Sequence, residues 1–396
     1  MTPDVSQLLA TDLRLGGWAI LAAVLLVGPV ALVGVRRSGF AGAISWHVKA
    51  THLLPAIIQL SLFAYWGLYY RQLETHIPGI ALQLLLAFLL DALLSWARYG
   101  KWRAGFGPVP LVLSLNLFAI FLHGALFMSL LAVSFAVLSK HLVRRTSADG
   151  SSSHIFNPSG FGIAVVALLN ITWPALGDGD IAHEFNLPPN MAELIVLLAL
   201  VVQTRVPVVL ITLGATLAML SVAVTTGYGG FAPQWSPVTL VIVLLMTDPA
   251  TSARTPGGKV LFGLLAGFAM QAMAYAMPAH PDFFYAKVLP IPLCNLAAPS
   301  CDRLAARVCG QVAAIATALD PRRNLAHVAL WLAVFCSLVV TDKRPQLGPD
   351  HPEPVLHAFN RTPHLKFGTD GNVHCGDNPV FCAPFSFVAE ARLWWE

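Results

Sequence analysis

The sequence predicts an all-α polytopic membrane protein, and three observations carry that prediction. Of its 396 residues, 56% are hydrophobic and 11% are charged, where a soluble domain carries about 25% charged residues. Mean hydropathy is +0.68. The apolar residues are gathered into runs separated by polar or glycine- and proline-rich stretches, the pattern of repeated bilayer crossings.

In chain order the runs are 15–35, 52–70, 78–97, 109–123, 125–140, 161–174, 191–206, 207–226, 238–247, 260–277, 284–301 and 325–341. The first is long enough to span. Its basic neighbours Arg36 and Arg37 follow it rather than precede it, the wrong flank for a cleavable signal. Four runs (109–123, 125–140, 161–174 and 238–247) are too short to cross about 30 Å of hydrocarbon as simple helices. Bare backbone in lipid costs several kcal/mol per group, so such segments are expected to meet inside the protein. Paired broken helices point to a central site.

Basic residues cluster at Arg36/Arg37/Lys49, Arg98/Lys101/Arg103, Lys140/Arg144/Arg145, Arg254/Lys259 and Arg303/Arg307/Arg322/Arg323. Placing those loops in the cytoplasm gives an alternating path if 109–123 and 125–140 act as a paired or re-entrant unit. The N-terminus and the tail after Asp342 then lie outside. The net charge of +4 is loop charge, and no run of Lys or Arg tracks nucleic-acid phosphates.

Residues 343–396 form a polar, proline- and histidine-rich extramembranous tail, too short for much of a core without a staple. On the outer side, Cys375 and Cys382 are candidates for a disulfide. The alternative is a metal site using His364, His374, Cys375 and Cys382. It lacks paired C-x-x-C spacing, so no metal is expected. Cys294, Cys301, Cys309 and Cys336 lie in or near apolar runs and read as packed thiols.

Two polar breaks stand out. In "LLMTDPATSARTPGGK", Asp248 follows an apolar run and Thr247. An acid at membrane depth is costly and marks a candidate site. Pro249 removes a backbone donor, Thr251, Ser252 and Thr255 offer hydroxyls, and Gly257 and Gly258 permit close approach. The competing reading, that Asp248 only ties off a re-entrant loop, has equal weight. In "HIFNPSGFG", Asn157-Pro158 is a turn signal ahead of an apolar helix expected to begin near residue 161. This is either an ordinary capped helix start or a helix N-terminus aimed at an anionic group such as a flavin phosphate. Asp91 is a further buried acid, expected to pair within the bundle. His52 and His123 lie in separate runs, the minimum for a haem-binding pair. No dinucleotide-binding glycine fingerprint and no H-E-x-x-H occurs.

Taken together, "LSKHLVRRTSADGSSSHIFNPSGFGIAVVALL", "LLMTDPATSARTPGGKVLFGLLAGF" and "AKVLPIPLCNLAAPSCDRL" resemble ordered blocks of the RnfD/NqrB family. These are the large membrane subunits of ion-coupled ferredoxin:NAD and NADH:quinone oxidoreductases. Asn295, Pro299 and Asp302 stand where the last block has its counterparts. The resemblance covers about residues 40–305. It implies a fold similar to urea transporters: two inverted halves, about ten helices, half-helices at the centre, and here one extra C-terminal span. The implied domains are 1–305 for the transmembrane unit, 306–342 for a linker and added span, and 343–396 for the tail. It implies residence in a bacterial inner membrane beside other redox subunits.

The family's redox members attach FMN through phosphate to a threonine in a loop between the Asn-Pro helix and the next span. Here that interval, 174–190, contains no serine or threonine. A phosphoester needs a hydroxyl, so covalent FMN there is excluded. Thr216, in "LGAT", lies within an apolar run and reads as a packing residue. The "HIFNPS" form is closer to relatives that lack the anchor and are associated with enediyne biosynthesis. The resemblance therefore implies FMN or riboflavin held noncovalently, near Asn157, Pro158, Thr247, Asp248, Thr251, Ser252 and Thr255. An accessory membrane protein that docks a partner or biosynthetic enzyme, and a urea-transporter-like carrier or channel, are the alternatives.

Overall fold

Twelve helices carry nearly all the regular structure in the computed structural model, which describes residues 44–47, 50–69, 73–119, 126–146, 150, 152–173, 191–226, 235–276, 284–311, 317–341, 365–367 and 373–375. The first run, 15–35, lies outside the described residues, as do His123, His364 and Cys382.

The helices are α1 (Ala50–Tyr69), α2 (Leu73–Tyr99), α3 (Pro108–Ala119), α4 (Leu126–Leu142), α5 (Pro158–Thr172) and α6 (Met191–Gln203). They continue as α7 (Val209–Thr226), α8 (Trp235–Leu240), α9 (Pro256–Ala276), α10 (Phe284–Val288), α11 (Pro290–Gln311) and α12 (Asn324–Thr341). Helix α8 runs directly into a π-helical turn, Val241–Leu245. Three two-stranded pairs accompany them. The strand β1 (Ile44–His47) pairs in parallel with β2 (Trp102–Gly105). Two antiparallel hairpins join β3 (Arg144–Thr146) to β4 (Ser152–His154) and β5 (Leu365–Phe367) to β6 (Val373–Cys375).

Three helical stretches are long and apolar enough to cross a membrane: His76–Tyr99, Val209–Thr226 and Pro256–Ala276. Several flanks bear large exposed side chains, including Leu85, Leu89, Val224 and Phe268, the surface that an apolar solvent suits. Two shorter segments behave differently. Helix α3 has 12 residues, about 18 Å at 1.5 Å per residue, and every residue from Leu111 to Phe118 is buried. The segment Ser236–Val243 is likewise buried throughout. These two segments are wrapped by protein because their unpaired backbone ends have no partner in hydrocarbon.

Helices α1 to α5 pack on one another, with α4 lying along α5 and α2. A second group forms where α9 packs against α7 and α11, with α12 on the far side of α7. The α7/α9 crossing is set by small residues. A Cβ at Gly263 would strike the Ile211 carbonyl, one at Gly214 the Val260 carbonyl, and one at Gly267 the Ala215 carbonyl. Only hydrogen permits backbones this close, and dispersion between them replaces the hydrophobic drive that lipid does not supply. Helix α12 is keyed to this pair: buried Trp331 donates its indole N–H to the Thr216 hydroxyl at 3.2 Å. Thr216 in turn donates to the Thr212 carbonyl at 2.7 Å, so it is the packing residue its sequence context suggests.

Three expectations need correction. The segment 284–301 is two helices, because Pro290 cannot donate the backbone bond that would continue α10. The second of them extends to Gln311, beyond the expected end at 301. Helix α5 begins at Pro158 rather than near residue 161.

Gly263→Val is expected to lower stability by about 1–3 kcal/mol through overpacking at the crossing. Thermal unfolding in detergent measures it. Leu265→Val, on the exposed face of the same helix, should move the midpoint far less.

Candidate functional site

Residue Asn157 organises the start of α5. Its backbone is non-helical, at φ −59° and ψ 119°, and its side-chain oxygen accepts the Gly160 N–H at 3.0 Å, the N-cap arrangement. Pro158 occupies the first helical position, where its missing N–H costs nothing. The same oxygen accepts the Ser159 hydroxyl at 2.9 Å.

The rest of Asn157 reaches other parts of the chain. Its side-chain amide donates to the Leu245 carbonyl at 3.1 Å. Its backbone N–H donates to Oδ1 of Asn295, on α11, at 2.9 Å. Asn295 then donates to the Thr251 carbonyl at 3.4 Å. Both asparagines are buried. The choice of Leu245 has a specific reason. In a continuing helix, residue 249 would donate to the carbonyl of residue 245. Residue 249 is proline, so that carbonyl has no helical partner, and Asn157 supplies the donor from another helix. The backbone has already loosened there, as Met246 N–H bonds back five residues to Val241 at 2.9 Å. Thr247 closes the end by donating to the Val243 carbonyl at 2.7 Å.

The turn that follows is built by Asp248. One carboxylate oxygen accepts the Ala250 N–H at 3.0 Å, and the other the Thr251 hydroxyl at 3.2 Å. Its backbone carbonyl accepts the Thr251 and Ser252 N–H groups. These bonds tie off the loop locally. Asp248 also reaches outward: Nε2 of His154, at the end of β4, stands 3.5 Å from its carboxylate. The turn lies between helices, outside the candidate spans. Burial pushes the Asp248 carboxyl up, but His154, the Ala250 N–H and the Thr251 hydroxyl together hold it below the usual carboxylate range.

A second carboxylate completes the turn. Asp302, on α11, accepts the backbone N–H groups of Arg254 and Thr255 and the Thr255 hydroxyl, the last two at 2.8 and 2.7 Å. Thr255 caps α9 by accepting the Gly258 N–H at 3.1 Å. A side chain at residue 258 would meet the Asp302 carboxylate, which is why glycine is required there.

The structure thus brings Asn157, Pro158, Thr247, Asp248, Thr251, Ser252 and Thr255 into one neighbourhood. Within it, Asn157 and Thr247 spend their polar groups on protein partners. Beside the turn is a cleft of about 230 Å³, lined in part by Thr251, Ser252, Arg145, Arg254, Asp302 and Arg303. The sequence reading did not associate His154 or the three arginines with the site. The Asp149-Gly150 pair between two short polar runs is a hairpin signal that could have found them: the β3–β4 hairpin places Arg145 opposite Ser153 and Arg144 opposite His154.

A separate polar cluster lies between α2 and α4. Asp91 contacts Lys140 Nζ and His141 Nε2, both at 2.8 Å, the pairing expected of a buried acid. Arg98 donates to the His141 carbonyl. Toward the other end of α2, Gln83 bonds Asn116 on α3 and Ser129 on α4. Buried amides thus lock the short helix α3 between its neighbours. Among the described residues, no group of three His, Cys, Asp or Glu side chains is placed to hold a metal ion. The candidate disulfide cannot be located, since Cys382 lies outside the described residues.

No protein-family model matches this chain, and no curated protein matches it.

Asn157→Ala removes a helix cap, worth about 1 kcal/mol, and strips the buried Leu245 carbonyl of its donor, about 1–3 kcal/mol. A total loss of about 2–4 kcal/mol is expected in unfolding measurements in detergent. Because Asn157 and Asn295 share a bond, the double substitution Asn157→Ala/Asn295→Ala should cost less than the sum of the singles.

Proposed function

We propose that this chain is a membrane-embedded subunit of an electron-transfer complex in the RnfD/NqrB family, and that it holds FMN or riboflavin noncovalently beside the joined helix breaks. One observation carries the reading. The two blocks with the most distinctive resemblance, Asn157-Pro158 and Thr247-Asp248-Pro249, meet through the bond from Asn157 to the Leu245 carbonyl. The bond joins two helix breaks 88 positions apart in the sequence. Such a junction is what two halves built around a central site require.

In this reading the neighbourhood divides its work. Asn157, Pro158 and Thr247 form a rigid floor, and Thr251 and Ser252, which line the cleft, are the residues nearest a ligand. Thr255 and Asp248 hold the turn in shape. The cleft is smaller than the roughly 300 Å³ and above of typical small-molecule pockets, so it takes only one end of a flavin. The ring system then lies against a partner subunit, and the inverted-repeat arrangement supplies the two halves that flank it. The chain's own contribution to the chemistry is to bind, orient and exclude water, while the flavin carries the electrons.

The test is an absorbance spectrum of the purified protein and of its membrane complex between about 350 and 500 nm, where flavins absorb. A flavin signal is expected, with the flavin released into the supernatant by acid. Absence of flavin from both preparations, together with no uptake of added FMN or riboflavin, overturns the reading.

A further inference from the structure

The cleft beside the Asp248 turn is unusual in its charge. Arg145 from β3, Arg254 from the turn and Arg303 from α11 all line it. None of the three has an ion-pair partner among the described residues. The one acid in the lining, Asp302, is occupied: its oxygens accept the Arg254 and Thr255 backbone N–H groups and the Thr255 hydroxyl. Three arginines therefore line a small cleft with a single carboxylate, whose hydrogen bonds go to the Arg254 and Thr255 backbone and the Thr255 hydroxyl.

A second observation is independent of charge. Ser252 also lines the cleft. It is 6% exposed, and its hydroxyl has no hydrogen-bond partner among the described residues. A buried unpaired hydroxyl costs about 1–3 kcal/mol and calls for an explanation. Every other hydroxyl in this turn has a partner: Thr247 and Thr251 within the turn, Thr255 through Asp302.

We propose that this cleft is a binding site for a phosphate-type oxyanion. Guanidinium forks match tetrahedral oxyanions in geometry as well as charge. Ser252 and Ser153, both in the lining, add hydroxyl donors. The three arginines come from three different chain segments, so the site exists only once the β3–β4 hairpin, the Asp248 turn and α11 are assembled. The site shares its cleft with the flavin reading but does not depend on it, because the phosphate of a soluble ester and the head group of an anionic phospholipid present the same oxyanion as an FMN phosphate.

The full-length protein is tested in neutral detergent against inorganic phosphate, with chloride at matched ionic strength as control. In parallel, nanodiscs of phosphatidylcholine are compared with nanodiscs containing phosphatidylglycerol. A saturable rise in unfolding temperature with phosphate assigns the site to soluble esters; a rise confined to phosphatidylglycerol assigns it to lipid. Either response should weaken about 10-fold or more in Arg145→Gln or Arg254→Gln, as expected for loss of one charge-assisted bond. It should weaken less in Ser252→Ala, which also checks that the response follows the cleft rather than the fold. No response in either arm, or a response that persists unchanged in folded Arg145→Gln/Arg254→Gln, overturns the proposal. Phosphate binding without flavin would sink the redox reading alone, and flavin uptake with no phosphate or lipid response in flavin-free protein would sink this one alone.

Discussion

The bond from Asn157 to the Leu245 carbonyl is the constraint on which the centre of this protein depends. A helix that stops inside an apolar protein leaves carbonyls without donors, and water cannot reach them cheaply. Pro249 makes the deficit certain at Leu245. The chain meets it by importing a donor from the start of another helix, and that start must then be fixed in space. Asn295 fixes it by accepting the Asn157 N–H, then links onward to Thr251. Three segments become one unit because a single proline removed a single donor.

The surrounding packing follows from the same need. Short helices such as α3 have to be enclosed, and buried Gln83, Asn116 and Ser129 pin α3 between its neighbours. Close enclosure demands small side chains where backbones cross, as at Gly214, Gly263 and Gly267. The long helices α2 and α9 turn flanks outward that carry exposed residues such as Leu85, Leu89 and Phe268. Polarity is concentrated within the bundle and at the Asp248 turn, while the apolar exterior remains continuous with the core.

At the turn, structural and functional demands use different atoms. The backbone and the carboxylates of Asp248 and Asp302 are committed to holding the loop. The Arg145 and Arg254 side chains and the Ser252 hydroxyl are not, and Arg303 donates to Ser300 within its own helix. That separation lets one turn act as a rigid support and still present an electropositive surface.

Much was legible in the sequence. Low charge and high hydropathy identified a helical, membrane-compatible chain, and most apolar runs match helices to within a few residues. The Asn157-Pro158 and Thr247-Asp248-Pro249 breaks were visible because proline and a buried acid cannot sit silently in an apolar run. Helix boundaries beside prolines shifted, since Pro290 divides a run that hydropathy reads as continuous. What the sequence could not supply was pairing at a distance. That Asn157 answers the deficit left by Pro249, that His154 faces Asp248, and that arginines from a hairpin, a turn and α11 share one cleft are consequences of tertiary structure. Hydropathy and turn signals act over a few residues, whereas a hydrogen bond between residues 88 apart exists only once the helices carrying them are packed.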